Sequence, residues 1–272
     1  MTASTNKLRQ QVTALRPDWE PDQLSGFLYL EGGYSNHNYR FSYRGERFVL
    51  RVPFTRRPEL NRHLEHRVYD GIAGGHTPEL VAFDPDSGAM ISRWVPGTLL
   101  ADSDPDADSL VDYLTHLHRQ LPALTHDYDP VAQARAQLAG ADAPAWMERL
   151  AADLHWAPEN TATCHNDLNP WNVIRTPDRR WVTLDWEWVG RNDPLFDLVT
   201  LHQGAEFDPD VLQPMARSYL GAPVAAERLQ RCLTAFWLRE TSWALAEIRA
   251  GSRRAEVTEQ RDRGLARLRE LA

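Results

Sequence analysis

The sequence has few cysteines, with only Cys164 and Cys232 among its 272 residues. They lie far apart and match no zinc-binding spacing, so we expect two reduced thiols rather than a disulfide framework or a zinc site. No apolar run approaches the ~20 residues that span a bilayer, and the N-terminal segment lacks the apolar region of a secretory signal. These absences predict a cytoplasmic protein that does not cross a membrane.

An excess of basic charge is also missing, since 30 Lys and Arg stand against 38 Asp and Glu, giving a formal net charge of -8. Nucleic acid is therefore not an expected partner, because a phosphate backbone is bound by a concentrated basic face. The same net charge would repel any phosphorylated ligand. A phosphate site in this chain therefore needs local cations or a metal ion.

Internal repeats and long low-complexity tracts are absent as well, and the alternation of apolar residues divides the chain in two. Strand patterns begin at residue 27, and the change of character at Pro96 and Gly97 starts a mainly helical region. We predict an α+β fold with a small antiparallel-sheet lobe at 1–94 and a larger helical lobe at 95–272. Further helices are expected near 7–16, 58–72, 108–120, 130–139 and 144–155, a strand-rich block at 161–186 and helices over 193–271.

The strand-rich block carries the strongest chemical signal, the segment TCHNDLNPWNVIRTPDRRWVTLDWEWVG. Phosphoryl transfer to an alcohol needs a carboxylate that orients the hydroxyl and accepts its proton, and oxygen ligands for magnesium. Asp167 can supply the base, while Asn172 and Asp185 can supply the ligands, at the spacing of a kinase catalytic loop. His165 would hold the loop by hydrogen bonds. The alternative is that these residues only form turns, which Asp and Asn favour.

The motifs HNDLNPWN and LDWEWVGRNDPLFDL resemble those of the aminoglycoside phosphotransferase and choline kinase superfamily, over about residues 27–250. Within it, the chain is most similar to the bacterial choline kinase and thiamine kinase branches. The resemblance implies a bilobal protein-kinase-like fold, whose N-lobe is a five-stranded sheet with one helix. It also implies ATP and Mg²⁺ as cofactors. By position it makes Asp167 the base, Asn172 and Asp185 magnesium ligands, Glu187 a contact of a second magnesium, and Asp197 a brace of the catalytic loop or a helix N-terminal acid.

The N-terminal motifs gain meaning from this resemblance. EGGYSNHNYRF is similar to the family's phosphate loop, in which Gly33 would let the backbone approach phosphate while Ser35 and Asn36 donate hydrogen bonds. FVLRVP places Arg51 where protein kinases carry a lysine, and a guanidinium can still bind phosphate oxygens. The resemblance implies an acidic partner for Arg51 on the following helix, and we predict Glu65 rather than Glu59. Adenine would bond to backbone groups between Arg93 and Val95.

A helix in the C-terminal region carries a candidate acceptor site. Its aromatic and acidic residues step by three, three and four positions and so share one helix face: Trp237, Glu240, Trp243 and Glu247. Such a face suits a cation, as in choline or thiamine, although aminoglycosides are cationic too. Core packing, with the acids paired to Arg239 or Arg249, is the alternative. The hypotheses are a kinase for a small cationic alcohol, an aminoglycoside or sugar kinase, and a nucleotide-binding regulatory module without turnover.

Overall fold

A computed structural model describes residues 4–54, 57, 59–72 and 75–271, which form two compact units. Unit 1 contains the described residues up to Asp104, together with 119–122 and 170–189. Unit 2 contains 105–118, 123–169 and 190–271. The segment 170–189 therefore packs with the N-terminal part of the chain. It follows the HND motif (His165, Asn166 and Asp167), which lies on the loop after residue 164, called the HND loop below. The division into functional lobes at residue 94 stays a prediction.

A five-stranded antiparallel sheet dominates unit 1, with strand order β1-β2-β3-β5-β4. On β2 the side chains of Tyr39, Phe41 and Tyr43 are buried at alternate positions, because a strand presents every second side chain to the same face. A tight turn at Arg44 and Gly45, both with positive φ, joins β2 to β3. The strands are β1 (Leu24–Leu30), β2 (Asn36–Tyr43), β3 (Glu46–Pro53), β4 (Leu80–Phe83) and β5 (Met90–Arg93).

Two helices accompany this sheet, whereas the resemblance implied one. The additional helix, α1 (Thr5–Leu15), is the one expected near 7–16 from the sequence, and it buries Leu8 and Val12 against the core of the sheet. Helix α2 (Arg62–Gly71) begins later than the predicted residue 58, because the Asn61 side chain accepts a hydrogen bond from the Leu64 backbone N–H and caps it there. Pro58, where we expected the start, lies outside the described residues.

A second sheet of unit 1 positions the candidate metal ligands. It consists of β6 (Thr98–Leu99), β8 (Val173–Arg175) and β9 (Trp181–Thr183), in the order β6-β8-β9. Asn172 ends the turn before β8, and Asp185 follows β9 by two residues. The backbone N–H of Leu184 donates to the carbonyl of Asn172 at 2.8 Å. Asn172 and Asp185 therefore stand at the same end of the β8-β9 hairpin.

Unit 2 is mainly helical, with one two-stranded sheet that pairs β7 (Ala162–Cys164) with β10 (Gly190–Asn192). Among the described residues, no helix is both long and apolar enough to cross a membrane. The predicted α+β class, with antiparallel sheet early in the chain and helices later, is confirmed. The helices are α3 (Ala107–Gln120), α4 (Pro130–Leu138), α5 (Ala145–Asp153), α6 (Leu195–Gly204), α7 (Pro209–Leu220), α8 (Ala226–Arg249) and α9 (Ala255–Leu271).

Candidate active site

A buried arginine on β3 forms the centre of the polar cluster in unit 1. Arg51 is 4% exposed, and its Nη1 lies 2.5 Å from Glu65 Oε1 and 3.4 Å from Asp185 Oδ1. Its Nε and Nη2 donate to the carbonyl of Gly88 at 3.3 and 3.0 Å. The predicted pairing of Arg51 with Glu65 is therefore present. It fixes a cation beside the candidate metal ligand Asp185.

A second buried arginine in this cluster was missed by sequence reasoning. Arg62 Nη1 lies 2.8 Å from Glu65 Oε2 and 3.2 Å from Glu187 Oε2. Burial alone would raise the pKa of Glu65, but Arg51 and Arg62 hold it below its usual value, so Glu65 stays ionised. The signal in the sequence was the position of Arg62, one helical turn before Glu65.

Glu187 is already held by protein groups, although the resemblance implied a contact to a second magnesium. Its Oε2 accepts from Arg62 and also from Asn36 Nδ2, the latter at 3.4 Å. A metal ion at Glu187 would therefore share the carboxylate with a guanidinium. The metal role of Glu187 stays a prediction.

The predicted phosphate loop is tightly built around Gly33. A Cβ atom at this position would lie 2.3 Å from the backbone oxygen of Asn36, so any larger residue would force the loop to shift. Asn36 is 3% exposed, and the Ser35 carbonyl accepts from the backbone N–H of Phe54 at 3.1 Å. The end of the loop that leads into β2 is thus fixed, which suits a backbone cradle for phosphate.

Asp185 adopts a strained backbone conformation that suits a functional role. Its φ of 58° and ψ of 63° lie in the left-handed region, which aspartate tolerates at a cost. Its side chain is 34% exposed, so the carboxylate is accessible despite the buried arginine beside it. Carboxylate and amide oxygens are the donors that Mg²⁺ prefers, so Asp185 and Asn172 fit this ion by chemistry.

The sheet restricts which backbone groups are available for the predicted adenine contacts. The backbone N–H of Arg93 donates to the carbonyl of Glu79 at 2.9 Å, because Arg93 is the last residue of β5. This N–H is therefore used within the sheet and is not available to a base. The Arg93 side chain points to other partners, with Nη1 at 2.5 Å from Glu46 and Nε at 2.7 Å from Glu79. Val95 follows β5 and is partly exposed. Adenine contacts to the carbonyl of Arg93 and to the backbone of Val95 stay a prediction.

A buried aspartate holds the HND loop in unit 2. Asp197 is fully buried and accepts hydrogen bonds from the backbone N–H of His165 at 2.7 Å and of Asn166 at 2.8 Å. His118 Nε2 lies 3.0 Å from the same carboxylate. The backbone N–H of Asp167 points to His165 Nδ1 at 3.2 Å. His165 and Asp197 thus both fix the backbone that carries Asp167.

The same region brings potential metal-binding atoms of His118, Cys164 and Asp197 within 4.8 Å of one another. Two observations favour hydrogen bonding over a metal ion here. Both carboxylate oxygens of Asp197 already accept backbone N–H groups. Burial raises the pKa of the Cys164 thiol, and its Sγ donates a hydrogen bond to the carbonyl of Asn192 at 3.7 Å. This cluster braces the loop.

Asp167 itself has a partner that sequence reasoning did not connect to it. Arg239 on α8 is 4% exposed and places Nη2 at 3.1 Å from Asp167 Oδ1. The signal in the sequence was a charged residue directly after the apolar run AFWL, but no pattern indicates which element that part of the helix faces. Glu240 also binds Arg239, with 2.5 Å between Oε1 and Nη2, which is the acid pairing considered as an alternative.

The four predicted acceptor residues differ in their surroundings. Trp237 is 3% exposed, donates its indole N–H to Gln203 at 3.1 Å, and has the Arg263 guanidinium 5.6 Å from its ring centre. Packing therefore explains Trp237. Trp243 and Glu247 are partly exposed on α8. Close to Asp167 in the chain, Trp171 is 56% exposed, an unusual position for a large aromatic side chain.

Comparisons with known proteins show which family and fold the chain is similar to. Residues 27–232 match the model of the phosphotransferase enzyme family. The protein LicA of Haemophilus influenzae is 25% identical over 236 residues, covering 74% of this chain and 67% of LicA. The choline kinase LicA of Streptococcus pneumoniae superposes with a TM-score of 0.77 at 19% identity, covering 97% of this chain and 98% of that one. A choline/ethanolamine kinase family protein of Mesorhizobium loti gives a TM-score of 0.75 at 22% identity, covering 98% and 94%.

Proposed function

The chain belongs to the phosphotransferase enzyme family and is a small-molecule kinase, and we propose that it transfers the γ-phosphoryl group of ATP to a hydroxyl of a small cationic alcohol in a magnesium-dependent reaction. The observation that carries the nucleotide part is the buried Arg51–Glu65 pair beside the partly exposed carboxylate of Asp185. A cation and a hard oxygen ligand side by side are what a metal-bound triphosphate needs. A solved structure of LicA is a complex with AMP, which supports an adenine nucleotide.

The proposed reaction assigns a distinct task to the HND loop. The acceptor O–H bond breaks and its proton passes to the carboxylate of Asp167. The acceptor oxygen forms a bond to the γ-phosphorus, and the bond from that phosphorus to the bridging oxygen of ADP breaks. Bound magnesium would be held by Asn172 and Asp185 and would neutralise charge on the phosphates. Arg51 would bind phosphate oxygens and keep its position through Glu65.

The acceptor class is supported by the relatives and by α8. The Streptococcus pneumoniae relative is a choline kinase, and both choline and thiamine are cationic alcohols. Partly exposed Trp243 and Glu247 provide an aromatic ring and a carboxylate for such a cation, and exposed Trp171 follows Asp167 by four residues. These features favour a quaternary or thiazolium nitrogen in the acceptor.

An aminoglycoside kinase is the second candidate, because a kanamycin complex of an aminoglycoside phosphotransferase superposes with a TM-score of 0.65 at 15% identity. The test is ATP consumption by the purified protein with choline, ethanolamine, thiamine, kanamycin and simple sugars. Turnover with choline or thiamine at least tenfold above kanamycin is expected. Preference for kanamycin would reject the cationic-alcohol assignment. ATP binding without turnover on any acceptor would favour the regulatory module.

We expect Asp185→Asn to weaken magnesium-dependent binding of ATP about tenfold. The amide can still accept a hydrogen bond from Arg51, so the change removes mainly the charge that a hard dication prefers. The measurement is a magnesium titration of ATP affinity by calorimetry. Asp178→Asn is the control, because Asp178 forms an exposed pair with Arg180 in the β8-β9 turn. An unchanged magnesium dependence in Asp185→Asn would remove this residue from the metal site.

We expect Trp243→Ala to raise the acceptor KM by roughly 5- to 30-fold with the KM for ATP unchanged, because a lost cation–π contact is worth ~1–2 kcal/mol. Since Trp243 is partly exposed, the melting temperature of the Trp243→Ala protein should fall little. The buried Trp237 on the same helix gives the contrast, since Trp237→Ala should cost ~3–5 kcal/mol of stability and disturb both substrates together. A Trp243 variant that behaves like the Trp237 variant would show that both indoles belong to the core.

A further inference from the structure

The HND loop and helix α8 share a buried guanidinium. Arg239 donates from Nη1 to the backbone carbonyl of Asn166 and from Nη2 to Asp167 Oδ1, the latter at 3.1 Å. The two donors of one planar group thus contact two successive residues of the loop. We infer that Arg239 is a positioning residue that fixes the orientation of the Asp167 carboxylate for proton transfer, an inference that rests on the proposed function.

The backbone beside Asp167 has an unusual conformation that its surroundings must hold. Asn166 has a φ of 67°, in the left-handed region, and its side chain is fully buried. A residue in this region relaxes unless its surroundings hold it there. Asn192 Nδ2 donates to the Asn166 side chain at 2.9 Å, and Arg239 bonds to its backbone carbonyl. Arg239 therefore restrains both the peptide before Asp167 and the Asp167 side chain.

The net charge around the Asp167 carboxylate is compatible with its role as a base. A single guanidinium on a catalytic carboxylate would neutralise the base that the reaction needs. Here Glu240 Oε1 also contacts Arg239, at 2.5 Å from Nη2 and 3.0 Å from Nε, so two carboxylates face one cation. The group of three remains net negative, which preserves an electrostatic attraction for the proton. Glu240 is in turn held by Gln260 of α9, 3.1 Å from its Oε2.

The groups around the guanidinium of Arg239 keep it charged and hold it in place. Burial alone would lower the pKa of Arg239, but Tyr128, Glu240 and Asp167 raise it well above its usual value, so the side chain stays charged. The rings of Phe196 and Phe236 lie 5.4 and 5.9 Å from the guanidinium carbon and limit its movement. A buried ion group of this kind is seldom more stable than a packed apolar one, which favours a role other than stability.

Lysine is the informative replacement at position 239. It keeps the positive charge but has a single ammonium group, which cannot hold the Asn166 carbonyl, Asp167 and Glu240 in the fixed geometry of the fork. We expect Arg239→Lys to lower kcat about tenfold, with the acceptor KM and the ATP dissociation constant within twofold of the parent. Effective positioning contributes to kcat and not to ground-state binding.

The matched control is Arg228→Lys on the same helix. Arg228 makes a partly buried bidentate pair with Asp193, with both N···O distances at 2.8 Å, and has no proposed role in the reaction. The Arg228→Lys protein should lose stability as Arg239→Lys does, but its kcat per folded molecule should equal that of the parent. Both rates are normalised to the number of ATP-binding sites. If Arg239→Lys does not fold, Arg239→Gln takes its place, because the amide can still donate to a loop acceptor.

A double-mutant cycle with Asp167→Asn provides the decisive readout. If Arg239 acts through Asp167, adding Arg239→Lys to the Asp167→Asn background should change the residual kcat less than twofold. An equal tenfold loss in both backgrounds, or a normal kcat in the single Arg239 variant, would overturn the positioning role. Near-normal turnover of Asp167→Asn alone would instead reject the proposed base, so failure of the inference and failure of the proposed function give different results.

Discussion

Replacing Asp167 by asparagine is expected to lower kcat at least ~100-fold, the usual effect of losing a general base, while the protein stays folded and binds ATP. The amide oxygen of asparagine can still accept the hydrogen bond that Arg239 Nη2 donates to Asp167 Oδ1. The substitution therefore removes basicity with little change in local geometry. Single-turnover rates with saturating ATP and acceptor measure the chemical step directly.

Asp127→Asn is the matched control for this experiment. Asp127 is also paired with an arginine, with Oδ1 2.6 Å from Arg191 Nε, but this pair is exposed. The Asp127→Asn protein should keep the kcat and melting temperature of the parent, because an exposed ion pair contributes only ~0–1 kcal/mol to the free energy of unfolding. If Asp167→Asn turns over as fast as Asp127→Asn, another group accepts the proton and the HND motif has only a structural role.

The sequence sufficed for the fold class and for several contacts of the HND loop. Period-two patterns predicted the strands of unit 1, and the turn at Gly45 fits the observed hairpin. The family resemblance also implied a contact between Asp197 and the loop, and Asp197 does hydrogen bond to it. These features are local, or are shared by a whole family, so a single chain is enough to reveal them.

The buried charges were harder to predict. Arg62 and Arg239 each connect residues that lie far apart in the chain, such as Arg239 with Asp167, 72 positions away. No periodicity predicts such pairs, because any polar residue on a helix is first expected to face solvent. Their burial depends on how the helices pack, which a pattern of apolar residues does not determine.

The acceptor face shows a second limit of sequence reasoning. Spacing of three and four correctly places residues on one side of a helix, but it does not reveal what covers that side. On α8 the turn at Trp237 is covered by Gln203 and Arg263, while Trp243 two turns later is partly exposed. A helix face can therefore change from core to surface along its length, and aromatic residues suit both environments.

Asp197→Asn is expected to cost ~3–5 kcal/mol of unfolding free energy at pH 7, which is the usual cost of breaking a buried charged network. Asp197 accepts two backbone N–H groups of the HND loop and contacts His118, all in a fully buried position. The asparagine amide group would present N–H donors to one of these N–H groups. The loop should then relax, so kcat of the folded protein should also fall more than tenfold.

Asp129→Asn is a close control for the loss of a carboxylate, because Asp129 also accepts two backbone N–H groups, at 2.9 Å each, but at the exposed start of α4. Asparagine caps helices as well as aspartate does, so this variant should stay within ~0.5 kcal/mol of the parent. Chemical denaturation of both variants gives the comparison. A loss for Asp197→Asn no larger than for Asp129→Asn would mean that the brace contributes little.

The unfolding free energies of the parent and of Asp197→Asn, measured as a function of pH, test whether the ionised carboxylate causes the difference in stability. Burial alone would raise the pKa of Asp197, but the hydrogen bonds and charges of His118 and His165 hold it below its usual value. A carboxyl group whose pKa is lower in the folded state stabilises the protein above the unfolded pKa of about 3.9, and this stability is lost as the pH falls through the folded value. The difference in unfolding free energy between parent and Asp197→Asn should therefore narrow as the pH falls below about 4. A difference that stays constant or widens there would show that the ionised carboxylate is not what holds the loop.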